Sequence, residues 1–275
     1  MRKIQGLIAA AGKGSRSGLD YPKTLYEIDG VSILRRILKV MAPYSACPII
    51  IASPAGERAI KTELLKHDLT AEIVLQAQPK GMGDAVLRYE QSRMFSSADD
   101  EDLLLMWGDL PFIQQGTVDA IINLHLQHKN DFSLVTKKTK DPYTIIQRDA
   151  AGGVLRAIET REHPEQRVNE GERDIGVFVF NRRKTFDILK MDLPSSLSST
   201  TGEHGFLYCI EEAAKRGALI GAYPLAVDSE EISLNYLTDL AAIGPKVTNA
   251  QESCRCARGR EVAPSWLVAK RETRF

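Results

Sequence analysis

The 275-residue sequence has little cysteine, no net charge and no long apolar run, and each shortage excludes a class of protein. Four cysteines favour a reduced, cytoplasmic protein over a disulfide-stabilised secreted one. Lys and Arg number 36, and so do Asp and Glu, so no overall field favours nucleic acid or a membrane surface. No apolar run approaches the ~20 residues of a membrane span, and we expect no signal peptide. We therefore predict a cytoplasmic protein without nucleic-acid or membrane partners.

Nucleophilic catalysis also finds no support in the sequence. No Ser/His/Asp or Cys/His arrangement stands out, and the histidines are scattered over polar helix faces and loops. We expect all of them to be exposed to solvent: His67, His125, His128, His163 and His204. Cys47 and Cys209 have apolar neighbours, and we expect both thiols to be buried. We find no internal repeat.

Strand and helix patterns alternate through the first half of the chain. Strands are predicted over 5–11, 48–52, 72–75 and 103–107, and helices over 31–41, 57–67, 83–95 and 117–128. This rhythm is typical of a parallel sheet with helices on both faces. Ligands bind such sheets at the carboxyl ends of the strands, where the first glycine loop and Gly108-Asp109 lie.

The second half is less regular. Strands are predicted over 132–136, 174–180 and 219–225, and helices over 184–191, 205–216 and 236–243. Segments 143–148 and 154–159 flank a glycine turn and predict a hairpin. A Ser/Thr-rich loop occupies 194–202.

The loop after the first strand has the sequence Ala10-Ala-Gly-Lys-Gly-Ser-Arg16, and Pro22-Lys23 follow. Glycines let the backbone turn sharply and bring its N–H groups close to an anion. Lys13, Arg16 and Lys23 add three cations. The loop is neither a Walker loop nor a Gly-x-Gly-x-x-Gly fingerprint. Taken alone, it fits a phosphate site or an ordinary tight turn.

With Lys23 seven residues further on, this loop resembles the signature of the sugar-1-phosphate nucleotidyltransferases. The likeness is strongest to the uridylyltransferase half of the bacterial enzyme that makes UDP-N-acetylglucosamine. Three further stretches, 76–83, 99–113 and 174–181, follow in the right order. The resemblance covers roughly 3–245 and is strongest over the first 115 residues. It implies an α/β fold, a Rossmann-like three-layer sandwich with a mostly parallel central sheet.

The resemblance also implies roles for particular residues. The backbone of the first loop would hold the nucleoside and triphosphate, at Ala9, Ala10, Ala11, Gly12, Lys13 and Gly14. Arg16 would neutralise the β- and γ-phosphates, and Lys23 would reach the α-phosphate and the acceptor phosphate. Gln76 would contact the base with Gly81 and Met82. Met82 replaces a usual Thr, and Asp84 stands where His or Ala is common, so the base preference stays open among UTP, CTP and dTTP, with UTP favoured.

For metal and sugar the resemblance implies a second set. Asp109 and Asn235 would bind Mg²⁺, which prefers few protein oxygens together with phosphates. Asn235 could equally cap the helix that follows it. Glu159, Asp174 and Thr144 would contact the sugar, with Asp174 where the family has Asn. Segment 202–208 departs from the usual Gly-Glu-Tyr-Tyr-Leu-Thr-Asp, which predicts a different acceptor.

The function predicted from the resemblance is Mg²⁺-dependent transfer of a nucleotidyl group to a sugar-1-phosphate, with release of pyrophosphate. Two alternatives stay open: a cytidylyltransferase for an alcohol phosphate or phosphocholine, and a catalytically silent nucleotide-sensing subunit. Neither the sugar nor the oligomeric state follows from the sequence.

One domain is predicted over 1–245, with a nucleotide-binding half over about 1–115 and a sugar-binding half over about 116–245. The tail 246–275 holds seven Lys and Arg against three Asp and Glu, with few aliphatic residues. We expect it to be solvated and partly disordered. A metal or partner site at Cys254 and Cys256 is the alternative, although their spacing does not suit a zinc half-site.

Overall fold

The computed structural model describes residues 3–12, 18–95 and 101–234. Its central element is a seven-stranded sheet in the order β11-β7-β10-β6-β1-β4-β5. The strands of this sheet are β1 (Lys3–Ala10), β4 (Ile49–Ala52), β5 (Glu72–Leu75), β6 (Glu101–Trp107), β7 (Phe132–Lys140), β10 (Glu170–Asn181) and β11 (Ile220–Tyr223). Two small hairpins accompany it: β2 (Glu27–Ile28) with β3 (Val31–Ser32), and β8 (Thr144–Arg148) with β9 (Val154–Glu159).

Six α-helices within the described residues cover the sheet. They are α1 (Ile33–Met41), α2 (Pro54–Lys66), α3 (Met82–Leu87), α4 (Gln115–Gln127), α5 (Arg182–Leu189) and α6 (Tyr208–Lys215). Helices α1, α2 and α4 pack on one face of the sheet, and α3, α5 and α6 on the other. The predicted α/β three-layer architecture is therefore confirmed.

Strand β10 runs against the direction of its neighbours. It pairs antiparallel with both β6 and β7, whereas β1 pairs parallel with β4 and β6. The middle of β10 therefore lies beside the end of β6, where Val177 pairs with Met106. This reversal brings the second half of the chain to the edge where the first half ends its parallel strands.

The apolar strands are buried on both faces because successive side chains point to opposite sides of a strand. In β6, Leu103 and Leu105 belong to one apolar cluster, while Leu104 and Met106 belong to the other. All four side chains are fully buried. A strand covered on both faces therefore has a continuous apolar sequence, which is the pattern that predicted it.

Side-chain caps set several helix starts. Ser32 Oγ accepts from Arg35 N at 3.2 Å, and Ser53 Oγ accepts from Gly56 N at 3.2 Å. Asn181 Oδ1 accepts from Lys184 N at 3.0 Å. Each cap satisfies an N–H group that the first turn of a helix leaves without a partner. The caps explain why α2 and α5 begin two or three residues before the predicted starts.

Several predicted boundaries are wrong. The helix predicted over 83–95 ends at Leu87 and continues only as a 3₁₀ turn over Arg88–Gln91. The strand predicted over 174–180 spans Glu170–Asn181, because its polar first residues pair with an equally polar extension of β7. The helix predicted from 205 begins at Tyr208.

The prediction that every histidine is exposed holds for His128 and His163 only: His67 and His204 are half-buried, and His125 is buried. Its ring is fully buried. Nδ1 lies 2.9 Å from Ser133 Oγ, and Nε2 lies 3.4 Å from Asp102 Oδ2. The structure thus assembles a Ser/His/Asp arrangement, but all three side chains are sealed from solvent. No substrate can reach it, so its contribution is to the core.

The predicted burial is confirmed for Cys209, which is fully buried, and is wrong for Cys47, which is half-buried. Burial raises the pKa of the Cys209 thiol. None of the helices in the described parts of the chain combines the length and apolar character needed to cross a bilayer.

Candidate active site

A pocket of about 380 Å³ opens where three parallel strands end. Strands β1, β4 and β5 finish level with one another, because Ala10 pairs with Ala52 and Ala52 pairs with Leu75. The segments that follow these strands line the pocket, among them Ala11, Gly12, Ser53, Pro54, Gln76 and Ala77. The predicted nucleotide-binding residues Ala11, Gly12 and Gln76 therefore meet in one place. The lining from β4, Ser53 and Pro54, was not predicted.

Close packing joins the ends of β1 and β6. Gly108 N donates to Ala9 O at 2.9 Å. A Cβ atom on Gly108 would lie 2.9 Å from that same oxygen and 3.1 Å from Ala10 Cβ. Only glycine permits this approach, and it brings the residue before Asp109 against the end of β1.

Lys23 begins a 3₁₀ turn, Lys23–Leu25, and is half-buried. The preceding Pro22 packs against the start of α2, where a Cβ atom on Gly56 would approach Pro22 Cγ to 2.8 Å. Pro22 also lines the pocket. The Pro-Lys pair is thus fixed at the pocket wall by its contact with α2.

Gln76 follows β5 and is only 5% exposed. Its Nε2 donates to Gly81 O at 2.9 Å and to Asp84 Oδ2 at 2.8 Å. Arg88 forms an ion pair with the same carboxylate. Burial opposes the charge, but the hydrogen bonds from Arg88 and Gln76 hold the pKa of Asp84 below its ordinary value.

The loop that carries Gly81 is pinned from the other half of the chain. Lys80 O accepts from His204 N at 2.7 Å, and Gly83 N donates to His204 O at 3.0 Å. Gly81 has a φ of 101°, and a Cβ atom there would lie 2.4 Å from His204 O. Met82 packs its side chain on the apolar layer under this loop.

Asp109 and Asp174 come to the same edge from different halves. Asp109 follows β6, and β10 runs back from Asp174 beside it. Between the two strands, Gly176 has a φ of 81°, and a Cβ atom there would lie 2.3 Å from Trp107 Cδ1. The glycine therefore lets the Trp107 ring lie against β10.

The three predicted sugar-binding residues form one cluster. Thr144 pairs across the hairpin with Glu159, and its Oγ1 donates to Asp174 Oδ1 at 2.6 Å. Gly176 N donates to Asp174 Oδ2 at 3.0 Å. Asp174 is 1% exposed, and burial raises its pKa. Burial also raises the pKa of Glu159, although Arg161 lies 2.8 Å away and opposes the shift.

Tyr143 is a residue that the sequence analysis missed. Its hydroxyl pKa is raised by partial burial and then by three carboxylates, Asp174, Asp109 and Glu159. The Arg173 guanidinium lies 4.2 Å from the centre of its ring. Tyr143 thus joins the predicted metal side to the predicted sugar side. Its position directly before Thr144 was the available signal.

Four predicted site residues lie outside the described residues: Lys13, Gly14, Arg16 and Asn235. The predicted helix over 236–243 and the tail 246–275 also lie outside them.

A Mg²⁺ ion at this edge of the sheet would need oxygen ligands from the protein or from a substrate. Within the described ranges, no group of three or more His, Cys, Asp or Glu side chains is placed to hold a metal ion. Asp109 supplies one carboxylate after β6, the strand that pairs with β1 at this edge of the sheet. Mg²⁺ commonly takes one or two protein oxygens together with substrate phosphates. The residues present therefore fit a cation bound jointly with a nucleotide.

The model of the MobA-like NTP transferase domain matches residues 6–174. The chain therefore belongs to this family, and the predicted class of enzyme, a nucleotidyltransferase, is confirmed. The match spans the first loop, Gln76, Asp109 and Asp174.

Curated relatives agree with the family. The chain is 29% identical over 239 residues to Bifunctional protein GlmU of Streptococcus uberis, covering 86% of this chain and 50% of the relative. It is 27% identical over 237 residues to the protein of the same name from Streptococcus mutans, covering 86% and 50%. The chain thus spans about half the length of these relatives.

Solved structures share the fold at low identity. One is a UDP-glucose pyrophosphorylase complexed with UDP-glucose, with a TM-score of 0.65 and 16% identity, covering 90% of this chain and 100% of that one. Another is HddC from Yersinia pseudotuberculosis, with a TM-score of 0.60 and 16% identity, covering 88% and 97%.

Proposed function

We propose that this chain transfers a nucleotidyl group from a nucleoside triphosphate, with UTP favoured, to a sugar-1-phosphate and releases pyrophosphate. One observation carries the proposal. The strand ends that line the 380 Å³ pocket lie at the same edge of the sheet as Asp109 and Asp174, so a nucleotide and an acceptor would meet there. The relatives and the similar structures support the same class of reaction.

The chemistry asks mainly for positioning and charge. A phosphate oxygen of the acceptor attacks the α-phosphorus, and pyrophosphate leaves in line with it. Repulsion between the two anions is the main barrier, so fixed cations and backbone N–H groups supply most of the catalysis. In this proposal Lys23 holds the α-phosphate and the acceptor phosphate together, and Arg16 neutralises the leaving group.

We assign the nucleotide and the acceptor to different halves of one domain. Residues 1–115 hold the nucleotide, residues 116–245 hold the acceptor, and 246–275 form a tail. Asp109 and Asn235 would hold Mg²⁺, which neutralises phosphate charge when it is bound. Thr144 and Asp174 shape the acceptor side, and Glu159 accepts hydrogen bonds from acceptor hydroxyls.

A specific observation favours a second candidate acceptor. Asp174, Asp109 and Glu159 lie near enough to the Tyr143 hydroxyl to raise its pKa, and such a group of carboxylates also suits the positive charge of a quaternary ammonium group. Phosphocholine therefore belongs in the test beside the sugar-1-phosphates.

The test is pyrophosphate release with Mg²⁺, using five nucleoside triphosphates against a panel of sugar-1-phosphates and phosphocholine. We expect UTP with one sugar-1-phosphate to be the productive pair. Phosphocholine with CTP as the productive pair would replace the proposal by the second candidate. Absence of release from every pair, in protein that binds a nucleotide, would favour the silent nucleotide-sensing subunit.

Lys23→Ala measures the contribution of the proposed catalytic lysine. Removing a cation from the charge-stabilising set should lower kcat by about 100-fold or more. Lys39→Ala, on the exposed last turn of α1, is the matched control and should leave kcat unchanged. Full turnover by Lys23→Ala would remove the proposed role of this lysine.

A further inference from the structure

Both N–H donors of the Gln76 side-chain amide form hydrogen bonds within the protein. One donates to Gly81 O at 2.9 Å and the other to Asp84 Oδ2 at 2.8 Å. An amide group has two N–H donors and one acceptor oxygen. The atom left for a ligand in the pocket is therefore the acceptor oxygen, Oε1.

The surroundings dictate this orientation of the amide. Turning it over would place Oε1 against the Gly81 carbonyl oxygen and the Asp84 carboxylate, which are both acceptors. Arg88 donates Nε to Asp84 Oδ2 at 3.2 Å and pairs with the other carboxylate oxygen. It thereby keeps Asp84 charged and in place. With Asp84 only 8% exposed, water competes little for the carboxylate.

We propose that Asp84 is a positioning residue that fixes the Gln76 amide and so selects a base with a ring N–H donor. The inference rests on the proposed function, in which Gln76 contacts the base. Uracil carries a hydrogen on N3 and can donate to Oε1. Cytosine has a lone pair at N3, so in the same position it would face Oε1 with two acceptors and no hydrogen, and its 4-amino group could donate to Oε1 only if the base shifted in the pocket. The orientation set by Asp84 thus favours UTP over CTP.

A Gln76 amide without its hydrogen bond to Asp84 would distinguish uracil from cytosine less well. It could turn over and donate Nε2 to N3 of cytosine, at the cost of its bond to Gly81 O. Asp84 adds a second acceptor that opposes the turn. A ligand is rejected strongly when its binding would leave a buried polar group of the site without a hydrogen-bond partner, and more weakly when the site is apolar.

The test compares kcat/KM for UTP and CTP in the full chain and in two variants. Asp84→Ala removes the second acceptor. Asp84→Asn is the conservative control, because its amide oxygen can still accept from Gln76. We expect the unmodified chain to prefer UTP by at least about tenfold. Asp84→Ala should lower this ratio by about tenfold, chiefly through KM for the nucleotide, and Asp84→Asn should keep most of it.

Calorimetric binding of UTP and CTP without acceptor gives the same ratio independently of turnover. An unmodified chain that prefers CTP, or an Asp84→Ala ratio equal to that of the unmodified chain, would overturn the inference while the transferase function stands. Binding that prefers UTP and loses the preference in Asp84→Ala, without any turnover, would support the inference while the proposed function fails. Failure to bind either nucleotide would overturn both. Thermal unfolding of each variant shows that it is folded.

Discussion

Strand β6 carries carboxylates at both ends, and the two ends are built differently. At its start, Glu101 and Asp102 are buried and held by partners from other elements. Glu101 accepts from Tyr89 Oη at 2.8 Å and lies 3.3 Å from Arg182 Nε, while Asp102 faces His125. At its end, Asp109 follows Gly108 at the open edge of the sheet.

The difference separates polar residues that maintain the fold from those placed for a ligand. A buried carboxylate is tolerated when partners compensate for the loss of water. The first end of β6 meets that condition within the protein. The other end lies beside the pocket, where phosphates and a cation would complete its surroundings. Substitutions at the two ends should therefore change different quantities.

The largest effect is expected from a matched pair of substitutions on this strand. Asp109→Asn should lower kcat by about 100- to 1,000-fold, because a ligand to the proposed cation is lost. Its free energy of unfolding should change by no more than about 0.5 kcal/mol. Asp102→Asn should leave kcat unchanged and lower the free energy of unfolding by about 1–3 kcal/mol. Pyrophosphate release measures kcat, and urea unfolding measures the free energy of unfolding. If Asp109→Asn changed only the stability and Asp102→Asn changed only kcat, the comparison would fail.

The next effect tests whether the sealed end is structural. His125→Ala leaves a cavity and removes one partner each of Ser133 and Asp102, so the free energy of unfolding should fall by about 2–4 kcal/mol. His128→Ala is the matched control, since its exposed ring lies at the end of the same helix, with Nδ1 3.1 Å from the Tyr223 hydroxyl. That control should change stability by less than about 0.5 kcal/mol. Loss of turnover in folded His125→Ala protein would assign this network a catalytic role.

A smaller effect concerns the acceptor. Glu159→Gln should raise KM for the acceptor by about tenfold and leave KM for the nucleotide unchanged, because a charged hydrogen-bond acceptor is lost. Burial raises the pKa of Glu159, so its charge is lost at a higher pH than for an ordinary Glu. The acceptor KM of the unmodified chain should therefore rise as pH falls toward that raised pKa. Steady-state kinetics over a series of pH values should show a weaker rise of the acceptor KM for Glu159→Gln; equal profiles would contradict the assignment.

The smallest effect is a pH dependence of stability. Glu162 accepts from Ser198 Oγ at 2.7 Å, Ser199 Oγ at 2.7 Å and Thr200 N at 3.2 Å. Burial opposes the charge, but these bonds lower the pKa of Glu162 to about 2. Because the folded pKa is depressed, the stabilisation is present above the unfolded value and is lost as pH falls toward 2.

Glu162→Gln should therefore be less stable than the unmodified chain by about 0.5–1 kcal/mol at neutral pH. The difference should shrink between pH 4.5 and 2. Urea unfolding of both proteins at several pH values measures it, and a difference that stays constant through this range would exclude Glu162 as its source.

The strands and the gathering of site residues could be predicted from the sequence, because their causes are local. Strand β6 is a continuous apolar run, and strands buried on both faces have that pattern. Because ligands bind such sheets at the carboxyl ends of the strands, the pattern also predicts that Gly12 and Asp109 lie at one edge.

Features that depend on tertiary contacts could not be predicted. His125 is buried because Asp102 and Ser133, distant in sequence, face it. The pKa of the Tyr143 hydroxyl is raised by burial and by three carboxylates that are distant from one another in the sequence. The reversed direction of β10 could not be predicted from its hydrophobic pattern, because side chains alternate in the same way along a strand of either direction.

The most direct measurement is the product analysis of one reaction containing UTP, a sugar-1-phosphate and Mg²⁺. The account predicts a uridine diphosphate sugar and pyrophosphate in equal amounts, with both lost together in Lys23→Ala and Asp109→Asn. Orthophosphate as the released product, or an unchanged mixture in protein that binds UTP, would contradict it.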